Sequence, residues 1–101
     1  MRLSPKEISA IQNAFRRNLH VAYGLYLFGS RVDDSKKGGD IDLLVAVSLQ
    51  DKLSVVELKV KILISIFETL PEQRIDITVA TPEELQTDAF LKSISRSMIK
   101  I

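Results

Sequence analysis

Two aspartates one residue apart, Asp40 and Asp42, open an otherwise apolar run, Ile41-Asp42-Leu43-Leu44-Val45. A strand places residues i and i+2 on one face, so both carboxylates point the same way. Like charges held that close repel, and their ionisation needs a neutralising partner. A divalent cation with oxygen ligands is the simplest one, and Mg²⁺ shared with a substrate phosphate is the usual form. Just upstream, Leu25-Tyr26-Leu27-Phe28 ends in Gly29-Ser30-Arg31. Gly29 lets the backbone approach a phosphate, and Ser30 offers a hydroxyl where that phosphate would sit. The two runs therefore read as neighbouring strands that carry a phosphate-plus-metal site.

The rest of the chain fits one domain over residues 1–101. Hydrophobic residues make up 46% and charged residues 27%, an ordinary globular balance that permits an adequate but small core. A formal net charge of +1 gives no bulk electrostatic case for nucleic-acid binding. Cysteine is absent, which excludes disulfides and thiolate metal sites and suits a reducing cytosol. The polar, helix-like start has no apolar signal-peptide core, and the apolar stretches are too short to cross a membrane, so a cytoplasmic protein is expected.

Local signals order the elements. Ser4-Pro5-Lys6-Glu7 is a capping box that opens a helix with Ile8, Ile11 and Phe15 on its core face. Val21–Phe28 reads as the first strand and Asp40–Val47 as the second, with Ser30–Ser35 a short helix or turn and Lys36-Lys37-Gly38-Gly39 a loop. His20, without an i+4 partner, reads as a surface residue. Ser54-Val55-Val56-Glu57 is a second capping box, starting a helix to about Leu70. Its apolar positions cover more than one stripe, so part of it is expected either to be buried on a second side or to meet a partner. Arg74–Ala80 is the third strand, with Asp76 and Thr78 opposite Ile75, Ile77 and Val79. Thr81-Pro82-Glu83-Glu84 is a third capping box, and a final helix is expected over Leu85–Ile99. The order predicts an α/β (α+β) fold, a small mixed sheet with helices packed on one face. Asp40, Asp42 and Asp76 then share the opposite, more polar face.

Three carboxylates beside an anion-binding turn suit two-metal phosphoryl or nucleotidyl transfer. Asp40 and Asp42 would bridge Mg²⁺ to a triphosphate. Asp76 would hold a second ion or accept the proton of the attacking hydroxyl. Arg31, Lys36 or Lys37 would meet phosphate charge. Each residue also has a plainer role: a strand-ending turn at Gly29-Ser30, a turn aspartate at Asp40, solvated lysines at 36 and 37, and an Asp76–Arg74 pair. Tyr23 and Tyr26 read as packing residues.

The pattern Gly29-Ser30 … Asp40-Ile41-Asp42, with Asp76 on a following strand, resembles the DNA polymerase β-type nucleotidyltransferase superfamily. The short chain and the Phe28-Gly29-Ser30-Arg31 form resemble its minimal (MNT domain) members. The likeness spans about Val21–Glu84 and is densest over Leu25–Val47. It implies a nucleotidyltransferase fold, nucleotide-phosphate contacts at Gly29, Ser30 and Arg31, and a catalytic metal triad of Asp40, Asp42 and Asp76. The interval from Ser30 to Asp40, positions 31 to 39, is one residue shorter than is common among minimal members. The resemblance further implies two Mg²⁺ ions, ATP as substrate and a small helical HEPN-type toxin as partner. The chain would then act as antitoxin, transferring AMP to a tyrosine of the toxin.

Two other functions compete. A non-catalytic binding module would neutralise its partner by masking it, with contacts through the 54–70 and C-terminal helices in a homo- or hetero-oligomer. A small-molecule modifier would need a second substrate-binding domain that a chain of this length does not hold.

Overall fold

The computed structural model describes residues 3–32 and 39–101. A four-stranded mixed sheet forms its centre, with strand order β3-β2-β1-β4. The strands are β1 (Gly24–Phe28), β2 (Ile41–Ala46), β3 (Ile75–Ala80) and β4 (Ile99–Lys100). β1 and β2 run antiparallel, with Phe28 opposite Asp42. β2 and β3 run parallel, with Asp42 opposite Asp76, and need a crossover longer than a hairpin turn.

The helix α1 (Pro5–Asn18) begins as its sequence predicts. Ser4 Oγ accepts from the Glu7 amide, and Glu7 Oε1 accepts from the Ser4 amide. Ile11, Ala14 and Phe15 are buried on its inner face. The crossover begins earlier than the Ser54 box suggests. Two helices, α2 (Leu49–Glu57) and α3 (Lys59–Phe67), run in succession and meet at Leu58, which keeps a right-handed helical conformation. Ser48 takes the extended N-cap position, and its hydroxyl donates to Asp51 three residues on. Ser48-Leu49-Gln50-Asp51 thus carries its own start signal, and Ser54 lies inside the helix.

α1, α2 and α3 cover one sheet face. Ile11, Phe15, Val55, Ile62 and Ile66 interlock there with Leu25, Leu27, Ile41, Leu43, Val45 and Ile77. The other face has a smaller apolar cluster of Leu44, Ala80, Leu91 and Ile94, flanked by Tyr26, Phe28 and Met98. It is built by α4 (Pro82–Thr87) and α5 (Ala89–Ser95), which replace the single C-terminal helix expected from sequence. Asp88 makes the break: its backbone is extended, and its side chain caps α5 by accepting from the Leu91 amide at 3.0 Å. The chain then returns as β4 along the outer edge of β1, where Ile99 pairs with Leu27. This short strand blunts an edge that would otherwise expose unpaired amides. No helix among the described residues is long and apolar enough to cross a membrane.

Candidate functional site

β1 ends in a 3₁₀ turn at Gly29–Arg31. Gly29 has φ +81°, a left-handed conformation that side-chain-bearing residues adopt at a cost. A Cβ at this position would lie 2.5 Å from Asp42 Oδ2. The turn therefore packs its backbone directly against the Asp42 carboxylate.

Asp42 and Asp76 are paired in register on the parallel strands β2 and β3. They share the face opposite the large core, next to the cluster under Leu44. Asp42 is half-buried and Asp76 is exposed. Asp40 precedes β2 and is also half-buried, just after Gly39, whose φ of +95° makes the turn into the strand. Burial pushes the Asp42 carboxyl above the ordinary carboxylate range, and the negative charges of Asp76 and then Asp40 push it further. Asp40, Asp42 and Asp76 thus form one electrostatic neighbourhood.

That neighbourhood fits a divalent cation in chemistry: hard oxygen donors, excess negative charge and a central carboxylate that its surroundings leave uncompensated. It is not a closed cage. Among the described residues no three acidic or histidine side chains are gathered closely enough to hold an ion as they stand. Oxygens from a triphosphate would complete the coordination in the usual Mg²⁺ manner.

Arg31 has a structural task that the sequence does not reveal. Its Nε donates to the Gly39 carbonyl at 3.3 Å, and one terminal nitrogen donates to Gln73 Oε1 at 3.3 Å. The other terminal nitrogen lies 3.8 Å from Glu7 Oε2. Arg31 so connects the turn after β1, the entry to β2, the segment before β3 and the first turn of α1. Glu7 caps α1 with one oxygen and meets Arg31 with the other. The Ser30 hydroxyl and the lysines at 36 and 37 lie outside the described features. Asp76 makes no salt bridge with Arg74, whose backbone carbonyl instead accepts from the Ile41 amide. His20 is exposed, and Tyr23 packs on Phe15 with ring centroids 6.1 Å apart.

A concavity of about 400 Å³ lies at the far end of the sheet, lined by residues that include Tyr23, Tyr26, Asp51 and Pro82. It contains none of the three site aspartates.

No family model matches the chain, and no curated protein matches it. Among solved structures it is similar to a crystal structure from Sulfolobus solfataricus described as a putative nucleotidyltransferase. The TM-score is 0.58 at 15% identity, over 99% of this chain and 89% of the other. At that identity the likeness shows a shared fold, a small α+β domain built on a four-stranded mixed sheet.

Proposed function

We propose that the chain is a Mg²⁺-dependent nucleotidyltransferase that moves AMP from ATP to a hydroxyl of a partner protein. The observation that carries this reading is the in-register pair Asp42–Asp76 on an open sheet face, with Gly29 packed against Asp42. Asp40 and Asp42 would hold Mg²⁺, with Asp76 contributing to a second ion. When bound, the metal would supply positive charge to the phosphate oxygens of the transferring group. The positive-φ turn at Gly29 carries no side chain, so its backbone would approach a triphosphate closely. In the transfer, the acceptor oxygen bonds to the α-phosphorus, the α–β bridging bond breaks and pyrophosphate leaves. Alternatively Asp76, the exposed acid of the set, would take the hydroxyl proton.

By its resemblance to minimal nucleotidyltransferases, the acceptor would be a tyrosine of a helical HEPN-type toxin, with this chain its cytoplasmic antitoxin. A masking module is the second reading, favoured by the open arrangement of the three acids and by apolar side chains left exposed on α2 and α3.

The test incubates the protein with ATP labelled on its α-phosphate, Mg²⁺ and the product of the neighbouring gene. Label should appear on that protein and vanish with Asp42→Asn and with chelator. Neutralisation of the neighbour without label, retained by Asp42→Asn, would establish masking instead.

A further inference from the structure

Arg31 is the last residue of the turn that carries Gly29, and its guanidinium reaches both segments that lead into the site strands. Its Nε donates to the carbonyl of Gly39, directly before Asp40. One terminal nitrogen donates to Oε1 of Gln73, three residues before Asp76. Glu7 Oε2 lies 3.8 Å from the other terminal nitrogen, so a carboxylate of α1 answers the positive charge inside the fold.

The three site acids depend on this guanidinium unequally. Asp42 and Asp76 lie within β2 and β3, and the ladder itself holds them opposite each other. Asp40 precedes β2 and has no place in that register. The chain enters it from Gly39, whose φ of +95° is a left-handed conformation that glycine takes without steric cost. The carbonyl of the Gly39–Asp40 peptide is the one that Arg31 holds. A peptide unit is planar, so fixing its carbonyl fixes the plane from which the Asp40 Cα and its carboxylate depart. Across from it, the Arg74 carbonyl accepts from the Ile41 amide at 2.9 Å, one residue beyond the Gln73 that Arg31 also holds. Arg31 therefore fastens the entries of β2 and β3 to the Gly29 turn at the point where the ladder stops.

We propose that Arg31 is a positioning residue that aims the Asp40 carboxylate at the cation, acting through the Gly39–Asp40 peptide rather than by touching nucleotide phosphate. The inference rests on the nucleotidyltransferase reading, in which Asp40 and Asp42 hold Mg²⁺. Lysine cannot do this task, because one ammonium on a flexible stem lacks the planar fork that meets Gly39, Gln73 and Glu7 from one centre. A phosphate contact needs chiefly the charge, and lysine would serve there.

The experiment measures ATP binding to the full chain by calorimetry while Mg²⁺ is varied, with circular dichroism and urea unfolding to verify the folded state. Arg31→Lys should raise the Mg²⁺ concentration needed for ATP binding roughly ten- to a hundredfold, the usual effect of releasing a group that orients a metal ligand. Arg31→Gln should do the same, and saturating Mg²⁺ should restore most of the ATP affinity of both. Gln73→Leu keeps the guanidinium and should shift the requirement in the same direction by less. Asp40→Asn should raise it too, and adding Arg31→Lys to Asp40→Asn should change it by no more than about twofold. Asn18→Ala, which removes hydrogen bonds to the Ala14 carbonyl and the Ser65 hydroxyl in the helical layer, controls for lost stability and should leave the requirement unchanged. An Arg31→Lys variant with the wild-type Mg²⁺ requirement overturns the proposal. So does ATP affinity that stays low for Arg31→Gln at saturating Mg²⁺ while Arg31→Lys retains it, the mark of a phosphate contact. An Arg31→Lys effect that persists undiminished in Asp40→Asn, or that Asn18→Ala matches, overturns it as well. A wild type that binds no ATP at any Mg²⁺ concentration overturns the nucleotidyltransferase reading itself, and the proposal with it.

Discussion

Gly29 stands so close to Asp42 that a methyl group on its Cα would lie 2.5 Å from the carboxylate oxygen Oδ2. Asp42 is fixed in the β2 ladder between β1 and β3, and Gly29 is fixed in a left-handed turn at the end of β1. The residue without a side chain and the carboxylate on β2 therefore sit in direct contact.

Gly29→Ala tests this contact. It combines a backbone conformation unfavourable to alanine with a collision at Asp42, and should cost about 1–3 kcal/mol of stability. Urea unfolding measures the loss. Nucleotide binding and transfer should fall further than stability does, because the substitution also displaces the carboxylate.

Asp42→Asn should stabilise the fold at neutral pH. The native carboxyl is raised by burial and by Asp76 and Asp40, so the folded state binds more protons than the unfolded state between the ordinary and the raised value. Stability therefore falls as pH rises through that window, and a neutral amide removes the slope. Thermal melts across pH should show a shallower decline for the variant. Mg²⁺ with ATP should raise the melting temperature of the wild type and leave Asp42→Asn nearly unchanged.

Arg31→Gln should loosen four segments at once. Its ion pair with Glu7 is largely shielded, with side-chain exposures of 14% and 16%, but the contacts are long at 3.3 to 3.8 Å. A loss of about 1–2 kcal/mol follows for a charged hydrogen-bond set of this quality. Glu7→Gln should reproduce only part of it, since the amide oxygen can still cap α1. Chemical denaturation of the two variants gives the comparison.

Glu84 gives a pH dependence of the opposite sign. Hydrogen bonds from Lys52 and then from the Thr81 amide hold its carboxyl below the ordinary range. Its contribution is complete above the unfolded value and disappears as pH falls through the lowered folded value. Lys52→Met should flatten that part of the acid-unfolding curve with little change at neutral pH, because the pair is solvent-screened. Acid titration followed by circular dichroism measures the difference.

What the sequence determined by itself is local. The Ser4 and Thr81 capping boxes form as written because cap and partner are three residues apart, and the alternation of β2 and β3 fixes the faces on which Asp42 and Asp76 emerge. Where local signals competed, the longer-range packing chose. The Ser54 box predicts a helix start, yet α2 begins at Leu49 with Ser48 as its N-cap, and Asp88 divides the stretch expected as one C-terminal helix. Only the tertiary structure decided that β4 closes the β1 edge, that α4 and α5 shelter part of the site face, and that Arg31 joins residues 7, 39 and 73. Those contacts unite residues far apart in the chain, and no periodicity or cap encodes them. They exist because a half-buried guanidinium needs oxygen partners and an open sheet edge needs partners for its N–H and C=O groups.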